Sequence, residues 1–418
     1  MSPTMVYLSF FDYNSTMITI KPAADPVSSN HKFGLALAGG GPLGGFYELG
    51  ALCALEDHIE DISMNDLDIY VGVSSGAFLA AGLANGISLR KMVQIFIYDK
   101  QSLTPFNPDH FLQPAYRDYI VNLAKSPGLL TKTLLKWAKN PLKTGVVDLL
   151  ESLGTALPTG VFNNKKLEHF LKSVLTEHGQ SNDFRQLEKQ LYIVACELNT
   201  GKIAGFGLGS HEEVPISKAV QASSALPGLY APVNINGKYY VDGALRRTMN
   251  ASAALKQDTQ LLLAVNPIVP FSRAPESAQK GLETGGLPMV LSQTFRSIVQ
   301  SRLKSGLDKY ESLYPTADIL LAEPDTEDER LFTSNLFSYS HRDELCAYAY
   351  QVTRHHLQKQ QQQLTPILKR HGLQLDLHKL KVQKRTLDDY MTYAQATYGW
   401  RERLDHSLTE LEQSIKAG

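Results

Sequence analysis

The chain has 418 residues, 43% of them hydrophobic and 20% charged, a globular composition that excludes wholesale disorder and leaves room for two or three domains or one large domain with an appendage. Lys+Arg 41 against Asp+Glu 42 gives a net charge of -1, which argues against nucleic-acid binding by overall charge while allowing a local basic patch. Cys53, Cys196 and Cys346 are odd in number and form no CxxC pair, so they argue against a disulfide framework or a structural zinc site and suit a reducing compartment.

Residues 1–32, with Pro3, Pro22 and Pro26, read as an irregular arm. The apolar run Met5–Phe11 has no basic residue before it and ends at Asp12 and Asn14. That argues against a cleaved signal peptide. No stretch reaches the 18 or so apolar residues of a membrane span, so a cytoplasmic chain that meets membranes only at their surface is expected. Phe33–Ala38 is a short apolar run that stops at a glycine cluster, as a buried strand does. Phe46–Ile59 then carries Leu49, Leu52, Cys53 and Leu55 at helical spacing. A second strand, Leu67–Val71, leads through Gly72-Val73-Ser74-Ser75-Gly76 into a helix reaching Leu83. Strand, helix, strand, helix is the start of a parallel α/β sheet.

Residues 100–160 interrupt this rhythm and read as a helical insert. Between Tyr119 and Val147 there is no acid, and Lys132, Lys136 and Lys139 form one stripe of a helix opposite Leu130, Leu134 and Trp137. That pattern fits either a surface helix packed on the core or an interfacial helix drawn to anionic lipid. Further strands are expected at Leu191–Ala195, Gly237–Val241 and Gln260–Val265. Beyond residue 266 the pattern turns helical, over Met289–Tyr310 and Asp343–Leu364. The tail from Arg354 to Arg385 is basic, with Asp376 its single acid. The chain is thus expected to divide into the arm, a catalytic domain over 33–270 and a C-terminal helical region over 271–418.

Gly72-Val73-Ser74-Ser75-Gly76 fits G-x-S-x-G between a strand and a helix. Such a turn thrusts the serine hydroxyl outward and places the helix N-terminus next to it. A Gly/Ser turn that lets a helix pack on a sheet has the same pattern. Gly39, Gly41 and Gly44 also satisfy G-x-G-x-x-G, but the next strand ends at the serine turn without the acid that a nucleotide ribose needs. The glycine amides can instead cradle an oxyanion. For the base, His341, His355 and His356 lie in helical sequence without turn signals. Asp242 ends a predicted strand in Tyr239-Tyr240-Val241-Asp242-Gly243-Ala244, where an aspartate either caps a helix or serves chemistry.

These elements together resemble the patatin-like phospholipase family. The resemblance covers roughly residues 33–265 and includes the glycine loop, the G-x-S-x-G and the Asp-Gly-Ala. It also takes in Leu191–Thr200 before Gly201 and the approach Ala222-Ser223-Ser224-Ala225-Leu226-Pro227-Gly228. It implies a three-layer α/β hydrolase with a mainly parallel sheet and a C-terminal helical extension. The implied activity is hydrolysis of lipid acyl esters, of phospholipase A type, without cofactor or metal. The implied machinery is a Ser74–Asp242 dyad with Gly39, Gly40 and Gly41 as oxyanion-hole positions. Gly44, Gly72, Gly76, Gly243 and Ala244 complete the motifs. Most members carry Arg where this loop has Leu43, which leaves backbone amides as the main oxyanion donors unless Arg246 or Arg247 reaches in. A free aspartate is a weak base at neutral pH, so burial is expected to raise Asp242. An acyl-lipid substrate is expected, with contact to anionic membrane through Lys132, Lys136, Lys139 and the basic tail. A soluble carboxylesterase, an acyl-thioesterase and a non-catalytic lipid-binding protein are the alternatives.

Overall fold

The computed structural model describes residues 18–24, 32–98, 159–162, 164–176, 179–272, 282–327, 341–382 and 384–397. The expected interfacial helix with Lys132, Lys136 and Lys139 lies outside these residues.

The strands, in chain order, are β1 (Ile18–Lys21), β2 (Phe33–Leu37), β3 (Ile59–Glu60), β4 (Ile69–Val73), β5 (Gly160–Phe162), β6 (Gln190–Glu197), β7 (Ile203–Phe206), β8 (Gly228–Tyr230), β9 (Val233–Ile235), β10 (Lys238–Asp242), β11 (Leu261–Val265), β12 (Asp318–Ala322) and β13 (Gln374–Leu375). Among the described residues, nine of them build one sheet in the order β1-β12-β11-β2-β4-β6-β10-β9, with β7 on the free edge of β6. From β12 through β6 all neighbours run parallel; β1, β7, β9 and β10 run antiparallel to their partners.

Each parallel strand is buried on both faces, and alternate residues serve different layers. Leu35, Leu37, Leu261, Leu263 and Val265 belong to one core cluster with the helices α1 (Gly41–His58), α2 (Ser75–Ala84) and α3 (Leu89–Phe96). Ala36, Ala38, Val71, Val73, Leu262 and Ala264 belong to the other, with Ala254 and Leu255 of the Ser252–Leu255 helix and Leu303, Leu307 and Tyr310 of the Gly286–Leu313 helix. The architecture is therefore a three-layer α/β fold with a mainly parallel sheet.

The sheet draws a strand from each segment expected to lie outside it. Ile18–Lys21 pairs with β12, and β12 itself pairs with β11 in register Leu263↔Leu320. Both runs lie outside the alternating strand–helix pattern; long-range backbone pairing supplies what local sequence lacks. Helix α1 begins five residues before the expected Phe46. The glycine cluster is its first turn, where Pro42 is tolerated because its missing N–H has no partner to lose. The expected helix Asp343–Leu364 is two helices, Arg342–Lys359 and Gln361–Arg370, meeting at Gln360. Gln360 faces inward and gives its amide to the carbonyl of Ile18 at 2.9 Å.

The Arg342–Lys359 helix packs along α1, with Cys346, Ala349 and Tyr350 fully buried in the same core as Leu49 and Cys53. A buried polar clasp fixes the contact: both guanidinium arms of Arg385 reach the Asp57 carboxylate at 2.6 Å, and the Tyr350 hydroxyl donates to it at 2.5 Å. No helix among the described residues is long and apolar enough to cross a membrane.

Candidate active site

Ser74 sits where β4 turns into α2. Its backbone has φ 53° and ψ -120°, a conformation that costs a serine roughly 1–3 kcal/mol and persists only where the surroundings impose it. The flanking glycines show what imposes it. A Cβ on Gly72 would stand 2.4 Å from the Ala77 Cα, and one on Gly76 would stand 2.6 Å from the Leu37 backbone. The elbow is held from the other side by Ser223, whose hydroxyl accepts the Ser74 N–H at 2.8 Å and donates to the Val194 carbonyl at 2.6 Å.

Asp242 arrives along β10, whose position follows from β6. On one edge of β6, Val73 of β4 pairs with Val194, and Asp242 of β10 pairs with the next residue, Ala195. The opposite edge over the same residues is taken by β7. The two strands therefore meet end to end, and the chain turns away from each at the junction. Gly243 permits the second turn, since a Cβ there would lie 2.3 Å from the Val194 carbonyl oxygen.

The Asp242 side chain is 2% exposed. Its Oδ1 accepts the Ala244 N–H at 2.8 Å, the capping bond of a short turn, and the carboxylate faces the Ser74 hydroxyl. Burial pushes the carboxyl from 3.8 up to about 6, against the opposing pull of these two donors. One carboxylate thus caps the turn and faces Ser74.

The three glycine amides of the loop are not equivalent. Gly39 donates to the Thr248 carbonyl at 3.3 Å, and Gly40 donates to the Ser75 hydroxyl oxygen at 2.9 Å. The Gly41 amide, in the first turn of α1, has no protein acceptor among the described residues. Gly39 instead supplies space: a Cβ on it would lie 2.9 Å from the Ser74 Cβ. Leu43 is buried in the core away from the site wall. Arg246 and Arg247 are exposed and do not line the cavity.

Ser74, Asp242 and Gly39–Gly41 open on a cavity of about 570 Å³, within the usual range for small-molecule sites. Its walls are largely apolar, including Phe78, Leu79, Phe96, Leu167, Leu229 and Tyr230. Among the described residues, Arg296 of the Gly286–Leu313 helix is the cationic lining residue. It is 3% exposed, burial pulls it down to about 10, and its Nη1 donates to the Val269 carbonyl at 3.1 Å. No histidine among the described residues lines the cavity. His356 is buried in its helix, where desolvation lowers it to about 4, and His341 is exposed at a helix start.

Sequence reasoning missed Ser75, Ser223, Thr248 and Arg296. Ser75 and Ser223 fall inside the G-x-S-x-G and the Ala222–Gly228 run, but nothing in their spacing distinguishes them from their neighbours. Arg296 comes from the region beyond the α/β rhythm.

The model of the patatin-like phospholipase family matches residues 35–255. The uncharacterized protein R571 of Acanthamoeba polyphaga mimivirus is 28% identical over 234 residues, covering 56% of this chain and 64% of that protein. Probable lipid hydrolase 463L of Invertebrate iridescent virus 6 is 21% identical, covering 65% and 81%. A cGAMP-activated phospholipase of Escherichia coli (strain TW11681) is 25% identical, covering 50% and 51%. The chain thus spans less than two thirds of the first and third of these relatives.

Proposed function

The chain belongs to the patatin-like phospholipase family, and on that premise we propose that it is a lipid acyl hydrolase of phospholipase A type, working through Ser74 and Asp242. The observation that carries this reading is the buried Asp242 carboxyl, raised to about 6 and facing the hydroxyl of Ser74 at the mouth of an apolar cavity. A base of that pKa is ionised at neutral pH yet basic enough to accept a serine proton in the transition state.

In the proposed reaction the Ser74 Oγ attacks the ester carbonyl while its proton passes to Asp242. The negative charge on the former carbonyl oxygen is met by the Gly41 amide and by the amides opening α2, in the manner of a helix N-terminus. Collapse expels the alcohol, which takes the proton from Asp242 and leaves an acyl-Ser74. Water then attacks the acyl-enzyme, giving its proton to Asp242, and collapse of that second intermediate releases the fatty acid and returns the proton to Ser74.

The lining of Phe78, Leu79, Phe96 and Leu167 suits an acyl chain. The outer face of the Gly286–Leu313 helix supports delivery from a lipid phase: Leu287 is 70% exposed and Leu291 58%, and Leu291 also lines the cavity. The iridescent-virus relative is described as a probable lipid hydrolase and the Escherichia coli relative as a phospholipase. The test is mass analysis of products from phosphatidylcholine and phosphatidylglycerol vesicles, with Ser74→Ala as the blank. Release of fatty acid and lysophospholipid by the parent but not by Ser74→Ala is expected. Equal release from both, or turnover of short soluble esters with vesicles untouched, overturns the reading.

A further inference from the structure

Glu48 is a fully buried acid that the dyad does not use. It lies on α1 two turns after Gly41, on the same side of the helix, with 0% of its surface exposed. Its carboxyl approaches the Ser75 hydroxyl and the Ala38 amide. Neither carboxyl oxygen completes a well-formed hydrogen bond, and the Ala38 amide is already given to the Val265 carbonyl at 3.1 Å. Ser75 is thus the group that Glu48 faces with an open donor.

Ser75 in turn nests against the first turn of α1. A Cβ on Gly45 would stand 3.4 Å from the Ser75 Cβ, and one on Gly44 would stand 3.5 Å from its Oγ. That oxygen accepts the Gly40 N–H at 2.9 Å. A hydroxyl has one hydrogen and two lone pairs; with a lone pair given to Gly40, the hydrogen is available to the carboxyl behind it. The other side of Gly40 is fixed as well, because its carbonyl accepts the Gly44 N–H at 3.0 Å. In a trans peptide the N–H points opposite to the preceding C=O. Fixing the Gly40 carbonyl therefore turns the Gly41 N–H back out of the helix start.

We propose that Glu48, acting through the Ser75 hydroxyl, is a positioning residue that sets the glycine loop so that the Gly41 amide faces the developing oxyanion. The inference rests on the reading of Ser74 as nucleophile. An apolar side chain at position 48 would fill the same space without the penalty of burying a carboxyl, so the acid marks a polar duty at this place. Burial holds the Glu48 carboxyl well above the usual carboxylate range. Glutamine keeps the shape and the accepting oxygen of the side chain without a charge, which makes it the fitting conservative replacement.

The experiment measures p-nitrophenyl butyrate hydrolysis and backbone amide exchange at Gly40 in the full chain. Ser75→Ala and Glu48→Leu are each expected to lower kcat about ten- to a hundredfold with KM within about twofold, since a donor aimed at the oxyanion acts in the transition state alone. Glu48→Gln is expected to keep kcat within about threefold of the parent, and Ser75→Ala combined with Glu48→Leu to be no slower than either alone. Gly40 amide exchange should quicken about tenfold in Ser75→Ala and in Glu48→Leu and stay slow in Glu48→Gln. Unaltered kcat and exchange in Ser75→Ala, or additive losses in the double variant, overturn the proposal even if Glu48→Leu fails to fold. A parent that hydrolyses neither p-nitrophenyl butyrate nor phospholipid vesicles removes the dyad reading; the exchange pattern then still decides whether Glu48 and Ser75 set the loop.

Discussion

Ser74 and Asp242 are brought together because Val73 and Asp242 pair with consecutive residues, Val194 and Ala195, on one edge of β6. A hydroxyl and a carboxylate thus meet at the junction of a parallel and an antiparallel neighbour of the same strand. The geometry depends on backbone register, so a slip of one residue in either strand would turn one side chain to the opposite face of the sheet.

Replacement of Ser74 separates chemistry from strain. Ser74→Ala and Ser74→Gly both remove the hydroxyl, and each is expected to lower turnover by at least about a thousandfold. The glycine variant should be the more stable by about 1 kcal/mol, because it alone adopts φ 53° and ψ -120° without penalty. Urea unfolding curves of the two variants side by side check this.

The pH dependence follows from Asp242. The proposed base must be ionised, so kcat/KM is expected to fall as pH drops below about 6, the value to which burial lifts the group. For stability the sign is reversed. The native carboxyl holds its proton more tightly than the unfolded one, so the penalty of about 3 kcal/mol is absent below pH 3.8 and complete above about pH 6. Asp242→Asn is expected to abolish the acidic limb along with most activity and to stabilise the protein at pH 8 but not at pH 3.5, as read by thermal unfolding at both pH values.

Gly76 and Gly243 admit no side chain. Their added Cβ atoms would fall 2.6 Å from the Leu37 backbone and 2.3 Å from the Val194 carbonyl oxygen. Alanine at either position is expected to destabilise by at least about 2 kcal/mol and to lower labelling of Ser74 by a fluorophosphonate probe in whatever protein folds. Normal stability with full labelling would contradict the crowded elbow.

The exposed face of the Gly286–Leu313 helix predicts a split between substrates. Leu287→Ser with Val290→Ser, both exposed and neither lining the cavity, should leave soluble ester hydrolysis intact. Vesicle hydrolysis should fall about tenfold, in keeping with roughly 1.5 kcal/mol or more for burying such side chains. Sedimentation with liposomes gives an independent measure of the same loss.

The clasp between α1 and the C-terminal helices predicts a purely structural effect. Arg385→Met leaves the buried Asp57 carboxylate without its bidentate partner, for which a loss of about 3–5 kcal/mol is typical. The remaining folded enzyme should keep its kcat and KM, since neither residue lines the cavity.

Much of this was legible in the chain. The runs Phe33–Ala38 and Leu67–Val71 are apolar enough to be buried on both faces, and each ends in glycines at the edge where α/β sites form. The raised pKa of Asp242 was also foreseeable from its place at the end of an apolar strand. The strands β1 and β12 were not legible, because they lie outside the alternating strand–helix run and gain their place from distant partners. Nor was the inequality of the loop amides, since Gly39, Gly40 and Gly41 differ in what receives their N–H groups and not in residue type.

The amino-acid sequence alone determined which groups could do chemistry and which layers would be buried, because glycine spacing and apolar periodicity are local properties. The tertiary structure decided which of those groups share one site. It paired Val73, next to Ser74, and Asp242 with adjacent residues of β6, assigned two of three glycine amides to protein acceptors, and set Arg296 into the cavity wall. Those choices rest on register and on contacts between segments remote in the chain, which no local pattern encodes.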